Sequence, residues 1–338
     1  MSSNPNFPPN LDIRPSQASA NETILDGFDE ASQAKAIRTY GIAGRVWEAA
    51  YALKTYIDAP PSLEFDPPFL QEDDLTSGHP IFLELGSGTG IVAAWLAERH
   101  AHVPYTLVAT DLPEVCPLLE KNLINHAGQP SPSHVGRVLV RPLAWGNEQH
   151  AADIASELLS SPSTSDPRVA VDDRYLTHVI CSDLVYFPEL LAPLLRSLLQ
   201  VTSPPFAPPH GPARVPKVVI SYRIRSLSKE TPFWAAFGLW FAFEPVLIKS
   251  HHVPAAAVAR EALGDFNEVP PAAWTRFGSP DNGDTYVFVG RRRPESFGWQ
   301  VPADDAELLG GVGAGGTQDR KGDDTFDTLL LMQMQMDV

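Results

Sequence analysis

Three glycines alternate with other residues in the stretch Glu84-Leu85-Gly86-Ser87-Gly88-Thr89-Gly90. An apolar run over 81–85 precedes the glycines and an apolar run over 91–98 follows them, which predicts a strand, a tight turn and a helix. Glycines let the backbone approach a ligand closely, and a helix N-terminus offers free N–H groups to it. A tight turn that binds nothing is the alternative. The density of glycines between a strand and a helix favours ligand binding.

An acidic residue follows the next predicted strand. Asp111 comes directly after the strand over 105–110 and lies 25 positions beyond Gly86. A carboxylate at this place can accept hydrogen bonds from both hydroxyls of a ribose, or it can cap the helix entered at Pro113. The glycine turn before Asp111 favours the ribose. A nicotinamide dinucleotide fingerprint would require a glycine where Ile91 stands, so the spacing favours a smaller nucleoside ligand.

Two further segments follow strands. In Leu143-Ala144-Trp145-Gly146, the indole of Trp145 can lie flat against a base such as adenine, or it can fill the core. In the segment from Cys181 to Pro188, Asp183 and Tyr186 are three positions apart and could both reach a substrate near the ligand. Asp183 could instead begin the turn into the next helix while Tyr186 packs.

Short β-rich runs alternate with helical stretches through the chain, which predicts βαβ units and a largely parallel sheet. Ligands of such sheets bind at the carboxyl ends of the strands, where the four segments above fall. The predicted strands cover 81–85, 105–110, 138–143, 177–181, 218–222, 245–248 and 286–290, and the predicted helices cover 45–57, 91–98, 113–125, 188–199 and 232–243.

The composition excludes several classes of protein. Among 338 residues, 25 are basic and 41 acidic, a net charge of −16, and Arg291–Arg293 is the one basic cluster, so we expect no nucleic-acid partner. Two cysteines, Cys116 and Cys181, are too few for a disulfide framework or a cysteine-based zinc site, and we predict no metal. The longest apolar run, 233–243, falls short of the ~20 residues of a membrane span. We expect a monomer in the cytoplasm, with the nucleus as the alternative, and no membrane partner.

The ends of the chain differ from its middle. Residues 1–40 are rich in Asn, Pro, Ser and Asp and predict a mostly disordered arm, with order close to a domain over 41–302 as the alternative for its last residues. Residues 303–338 contain a glycine-rich run and a net charge of −6, from eight acids and two bases, which predicts a flexible acidic tail. The stretches 151–174 and 202–216 are rich in Pro, Ser or Ala and predict surface loops.

Taken together, these segments resemble the seven-stranded S-adenosylmethionine-dependent methyltransferases. The resemblance rests on Glu84–Gly90, Asp111, Trp145 and the Asp183–Tyr186 element. Val46-Trp47-Glu48-Ala49 narrows it to the protein-lysine methyltransferases that have an [Asp/Glu]-x-x-Tyr element after the fourth strand. It covers residues 41–292. It implies an α/β, Rossmann-like fold with a seven-stranded, mostly parallel sheet and helices on both faces.

The resemblance also implies roles for individual residues. Asp183 and Tyr186 face the acceptor, where Asp183 would hold the ammonium and Tyr186 would direct the amine. The chain is similar to fungal and animal members, the fungal elongation factor methyltransferases among them, which act on elongation factors or chaperones. It departs from them in its Pro-rich insertions, its Gly-rich tail and Ser182, where Ala is common, which leaves the acceptor protein open. The residues implied to surround S-adenosylmethionine are Trp47, Gly86, Ser87, Gly88, Asp111, Trp145 and Ser182.

Methylation of a lysine adds two expectations. The lysine must lose its proton, and burial beside a positively charged cofactor lowers its pKa. The acidic composition predicts a negatively charged mouth that attracts the lysine. The alternatives are a methyltransferase for a small amine such as nicotinamide, which shares the cofactor half of the site, and a non-enzymatic interaction protein that keeps the fold. A dehydrogenase is disfavoured by the glycine spacing.

Overall fold

A computed structural model describes residues 6–9, 11–16, 25–71, 79–124, 136–160, 175–208, 215–251, 273–278 and 284–336. Its strands are β1 (Leu63–Asp66), β2 (Ile81–Leu85), β3 (Thr106–Asp111), β4 (Arg137–Pro142), β5 (His178–Ser182), β6 (Lys217–Arg223), β7 (Phe241–Pro245), β8 (Leu247–Ser250), β9 (Thr275–Arg276) and β10 (Thr285–Arg292). Its helices are α1 (Glu30–Tyr40), α2 (Ala49–Ile57), α3 (Ile91–Arg99), α4 (Cys116–Leu123), α5 (Glu148–Ser160), α6 (Pro188–Val201), α7 (Leu227–Trp240), α8 (Asp305–Leu309) and α9 (Thr325–Met336).

Seven strands form the main sheet in the order β4-β3-β2-β5-β6-β10-β7. The first five are parallel, whereas β10 runs antiparallel to both of its neighbours, β6 and β7. The strand order reverses at β2, because β3 lies on one side of it and β5 on the other. This arrangement confirms the predicted fold class, and the carboxyl ends of β2, β3 and β5 form the switch point at which such sheets bind ligands.

Helices cover both faces of this sheet, so the central strands are buried on both sides. Every residue of β2 and β3 is buried, as expected for strands between two helical layers. One core cluster joins the sheet to α5, α6, α7, α8 and α9, and the other joins it to α2, α3 and α4. In the described residues, no helix has the length and apolarity needed to cross a membrane.

A second, smaller sheet has the order β1-β8-β9 and is antiparallel. The strand predicted over 245–248 is divided between the two sheets, since Leu247 and Ile248 belong to β8 of the smaller sheet. The chain leaves the main sheet at Pro245, and β8 pairs with β1 from Leu247 onward. The helix predicted over 232–243 also differs, since α7 begins at Leu227 and Phe241–Phe243 belong to β7.

The prediction of a flexible tail over 303–338 is wrong for the described residues 303–336. Leu308 of α8 and Phe326 of α9 are buried in the main core, and α8 packs on α6 and α7 while α9 packs on α7. The glycine run forms a tight turn between them, with positive φ at Gly311, Gly313 and two further glycines. Composition suggested a linker because glycine serves flexible chains and left-handed turns alike.

The prediction of a mostly disordered arm over 1–40 is also wrong where the structure describes it. Asp29 caps α1 by accepting a hydrogen bond from the Ser32 backbone N–H, and Phe28 and Ala36 are buried. The surface loop predicted over 151–174 contains most of α5 in its first ten residues, and 161–174 lies outside the described residues. The helix predicted over 45–57 begins only at Ala49.

Candidate functional site

One cavity of about 460 Å³ opens at the carboxyl ends of β2, β3 and β5. It brings together every residue for which the sequence predicted a role in the site. Segments as distant in sequence as 86 and 186 meet there because parallel strands end at the same edge of the sheet. The predicted residues that line the cavity are Trp47, Gly86, Ser87, Gly88, Asp111, Trp145, Ser182, Asp183 and Tyr186.

The glycine turn between β2 and α3 forms one wall of the cavity. Gly86 has φ +58°, and a Cβ there would lie 2.8 Å from the Leu184 side chain and 3.1 Å from that of Trp145. Ser87 fixes the turn to β3, because its N–H donates to the Thr110 carbonyl at 2.9 Å and its Oγ accepts from the Thr110 N–H at 3.2 Å. Bare backbone therefore faces the cavity where any side chain would narrow it.

Asp111 ends β3 and faces this turn. Its Oδ2 accepts from the Gly88 N–H at 2.8 Å and its Oδ1 from the Leu112 N–H at 2.7 Å. Each carboxylate oxygen can accept more than one hydrogen bond, so both retain capacity for hydroxyl groups in the cavity. Burial raises the pKa of Asp111 to about 6, while the two backbone bonds act in the opposite direction.

Glu84 is a cavity residue that the sequence analysis did not assign. It is 1% exposed, and its Oε2 has no hydrogen-bond partner in the part of the chain that the structure describes. Burial, and to a smaller degree the charge of Asp111, raises the pKa of Glu84 to about 8. A buried carboxylate oxygen without a partner is costly, so it marks a place where a ligand donates a hydrogen bond. The signal was present, since Glu84 opens the glycine motif.

Aromatic side chains form another wall. The rings of Trp145 and Tyr186 meet edge to face with centroids 6.4 Å apart, and Phe187 contacts Tyr186 at 4.7 Å. Trp145 also lies close to Gly86, because a Cβ on Gly86 would contact the Trp145 side chain. Burial raises the pKa of the Tyr186 hydroxyl above its ordinary value, so this group stays protonated at neutral pH. Tyr186 can therefore donate or accept a hydrogen bond at the cavity wall.

Asp183 lies directly after β5 in an unusual conformation. It is the one non-glycine residue with positive φ in the described part of the chain, at +62°. Both of its oxygens accept from Arg225, Oδ1 from Nη1 at 2.7 Å and Oδ2 from Nη2, and its side chain is fully buried. Direct contact between Asp183 and an ammonium stays a prediction, and the ammonium would share oxygens that Arg225 already binds.

Trp47 lies between the cavity and a group of cations. Its indole N–H donates to the Ile42 carbonyl at 3.1 Å, and the guanidinium carbons of Arg45 and Arg225 lie 4.6 and 5.2 Å from its ring centroid. Arg45, Arg225 and Lys229 all line the opening. Four acidic residues also line the cavity, Glu84, Asp111, Asp183 and Glu230, but all four are buried. The charged lining residues that reach solvent are basic, so the expectation of a negatively charged mouth is wrong, because it extended the net charge of the whole chain to one local surface.

The N-terminal segment also reaches the site, which the sequence analysis did not predict. We call residues 6–9 and 11–16 the N-terminal strap. Asn6 and Leu11 line the cavity, the Asn6 carbonyl accepts from the Ile42 N–H at 2.9 Å, and the Arg14 carbonyl accepts from Arg45 at 2.8 Å. The strap therefore forms part of the cavity wall.

A family model described as lysine methyltransferase matches residues 31–234. The chain is also similar to a mouse protein named EEF1A lysine methyltransferase 3, with 34% identity over 110 residues. That match covers 32% of this chain and 38% of the mouse protein, so the chain spans less than half the length of this relative.

The comparison with solved structures finds methyltransferases at low similarity. A precorrin-6y C5,15-methyltransferase from Geobacter metallireducens is 11% identical with a TM-score of 0.31, over 72% of this chain and 87% of that one. The structure of LepI in complex with SAM is 13% identical with a TM-score of 0.34, over 71% and 51% of the two chains. Similarity at this level has no bearing on the substrate.

The cavity fits S-adenosylmethionine, the cofactor that the family implies. The partnerless Oε2 of Glu84 suits an ammonium group, and the free acceptor capacity of Asp111 suits a ribose diol. The backbone wall at Gly86 admits a flat ligand beside Trp145. Each of these observations comes from the structure of this chain and does not depend on the family match.

The family model covers more than half of the 338 residues, and its match includes the glycine turn, Asp111, Trp145 and the Asp183–Tyr186 element. The chain therefore belongs to the lysine methyltransferase family.

Proposed function

We propose that the protein is an S-adenosylmethionine-dependent methyltransferase that methylates lysine side chains of another protein, a translation elongation factor or a chaperone. The similarity to the mouse protein named EEF1A lysine methyltransferase 3 carries the proposal. Trp47, Asp183 and Tyr186, which lie in the elements that mark the protein-lysine group, all line the cavity. Their convergence supports an acceptor site there.

The inner end of the cavity is the cofactor side. Glu84, the backbone from Gly86 to Gly88, and Asp111 would hold the cofactor there. S-adenosylmethionine supplies a methyl group that its positively charged sulfur already activates. The remaining task of the protein is to align an amine with that group, and alignment of two reactants can contribute roughly 7–11 kcal/mol.

The acceptor lysine must arrive as a neutral amine, because an ammonium has no lone pair and its ordinary pKa is about 10.4. Both oxygens of Asp183 are bound to Arg225, and Tyr186 keeps its own proton, so neither is placed to remove one. We infer that the lysine loses its proton to solvent at the opening, where nearby cations lower its pKa.

Within this proposal, Tyr186 touches the acceptor and Asp183 acts through Arg225. The amine donates a hydrogen bond to the Tyr186 hydroxyl oxygen, which directs its lone pair into the cavity. Asp183 fixes the Arg225 guanidinium beside Trp47 and so shapes the opening. Asp183 is then a positioning residue.

Transfer of labelled methyl groups into fractionated host lysate tests the proposal. The labelled residue is then identified by mapping. Asp111→Ala is the matched control, because that variant weakens cofactor binding. Label on a lysine of an elongation factor or chaperone, absent with the variant, supports the proposal. Label found only in small molecules would show that the acceptor is a free amine.

A further inference from the structure

The opening of the active site has a charge opposite to that of the chain. The chain has a net charge of −16, yet four basic side chains gather at the opening. Arg45, Arg225 and Lys229 line it, and Arg223 joins them through a shared carboxylate. We call Arg45, Arg223, Arg225 and Lys229 the cationic rim.

The rim is only partly neutralised. Glu48 is shared by three of its members, with Oε2 3.7 Å from Arg223 Nη1 and 3.9 Å from Arg225 Nη2, while Oε1 bonds to Arg45. Asp183 pairs with Arg225, and the Asp183 side chain is fully buried. No described acidic side chain pairs with the exposed Lys229. Positive charge therefore faces solvent.

Two other carboxylates near the opening form no ion pair with the rim, although the charge of Glu230 acts on Arg225. Glu230 is buried, and it accepts hydrogen bonds from the Tyr222 hydroxyl and from the backbone N–H groups of Arg225 and Ser226. Glu189 belongs to the first turn of α6 and acts on Tyr186 rather than on the rim. The rim cations outnumber the carboxylates that pair with them.

A lysine side chain is itself a cation, so this rim repels it unless the acceptor brings negative charge. Guanidinium groups bind carboxylates in a fork geometry, and complementary charge speeds association and selects partners. We propose that the acceptor lysine lies in an acidic segment, whose Asp or Glu side chains dock on the rim. This proposal rests on the proposed protein-lysine activity and names the class of its substrate.

The placement of the rim suits this role. Arg223 ends β6 and Lys229 lies in the first turn of α7, so the two flank Arg225 along the chain. Arg223 is 31% exposed and Lys229 is exposed, which leaves both accessible to a docking segment. The rim then attracts the acidic segment while it disfavours the protonated form of the lysine between the acids.

Binding of defined peptides tests the proposal. The full chain, loaded with S-adenosylhomocysteine, is titrated into labelled peptides with a central lysine flanked by Glu and Asp, by Gln and Asn, or by Arg. Fluorescence anisotropy should show the acidic peptide binding about tenfold more tightly than the neutral one, and the Arg peptide most weakly. The preference should shrink as salt is raised, because the rim is exposed.

The variant Arg223→Gln/Lys229→Gln should reduce the preference for the acidic peptide to about threefold or less. The matched control Arg99→Gln/Lys121→Gln removes the same number and kinds of charge, on exposed residues outside the cavity lining, and should leave the preference unchanged. Melting temperatures of both variants show whether either change disturbs the fold.

Three results overturn the proposal: no tighter binding of the acidic peptide, a preference that survives in the rim variant, or an equal loss in the control. These failures are distinguishable from failure of the proposed function. If lysate labelling finds methylated protein lysines but the peptides show no acidic preference, the rim proposal fails alone. If acidic peptides bind but no protein lysine is ever labelled, the proposed activity fails.

Discussion

Arg225 binds both carboxylate oxygens of Asp183, although 42 positions separate the two residues in the chain. The fork binds a carboxylate that is fully buried, on a residue whose backbone φ is positive, at +62°. Breaking a buried ion pair by removal of one partner leaves a charge without compensation, which costs about 3–5 kcal/mol in typical cases. In the proposed function, Asp183 acts on the acceptor side through Arg225.

A double-mutant cycle tests this relationship. Asp183→Asn keeps a residue that tolerates positive φ, and Arg225→Ala removes the fork. Each should lower kcat/KM for a protein-lysine acceptor, and the double variant should be no worse than the poorer single variant, with a coupling of about 0.5–3 kcal/mol. Affinity for S-adenosylhomocysteine should change far less. An Arg225→Ala enzyme with higher activity than the parent would mean that Asp183 binds the ammonium directly.

The raised pKa of Glu84 predicts how stability depends on pH. In the ligand-free fold, burial raises the pKa of this carboxyl from its ordinary value of 4.5 to about 8. Between pH 4.5 and 8 the folded state therefore binds a proton at Glu84 that the unfolded state has lost. The free energy of unfolding should therefore fall as pH rises from about 4.5 to 8, with a slope approaching about 1.4 kcal/mol per pH unit. Denaturant titrations at a series of pH values measure it. Glu84→Gln should lack this component, and an unchanged slope in that variant would refute the assignment.

The N-terminal strap should matter for cofactor binding. A Cβ on Gly41 would lie 1.7 Å from the Asn6 carbonyl oxygen, so Gly41→Ala should displace the strap from the cavity wall. Gly27→Ala is the matched control, because Gly27 also has positive φ but nothing lies within 4 Å of its Cβ position. Calorimetry should show S-adenosylhomocysteine affinity reduced several-fold in the first variant only. Equal affinities would mean that the strap contributes nothing to binding.

The C-terminal segment should be required for stability. Phe326 is 1% exposed and stacks on Trp234 with centroids 4.9 Å apart, so Phe326→Ala should cost about 3–5 kcal/mol. Leu331, on the same helix and 62% exposed, provides the control, since Leu331→Ala should leave the melting temperature nearly unchanged. If Phe326→Ala has the same melting temperature as the parent, α9 does not contribute to the stability of the fold.

The sequence predicted the parts of the fold that local patterns determine. Ile81–Leu85 is uniformly apolar and leads into glycines, so both the strand and the turn were identifiable. The segment around Phe326 was not, because its burial depends on a partner, Trp234, that lies 92 positions earlier. A glycine-rich composition does not distinguish a loose linker from a turn in which Gly311 and Gly313 have positive φ.

The residues of the site that follow strands were also predictable from the sequence, whereas those brought in by tertiary contacts were not. Gly86, Asp111 and Asp183 each follow a strand, and the topology of a parallel sheet brings strand ends together. The Arg225 fork, the strap at Asn6 and the cationic rim depend on tertiary contacts that no local spacing encodes. Net charge predicted the opposite sign for the opening, because −16 is an average over the chain and not a property of one surface.

The chemical identity of the methylated product tests the central claim most directly. Host protein is incubated with the enzyme and labelled S-adenosylmethionine, hydrolysed to amino acids and separated by chromatography. The account predicts that the label elutes as methylated lysine and disappears when Asp111→Ala replaces the parent enzyme. Label that elutes as another amino acid, or that never enters protein while small amines are methylated, would contradict it.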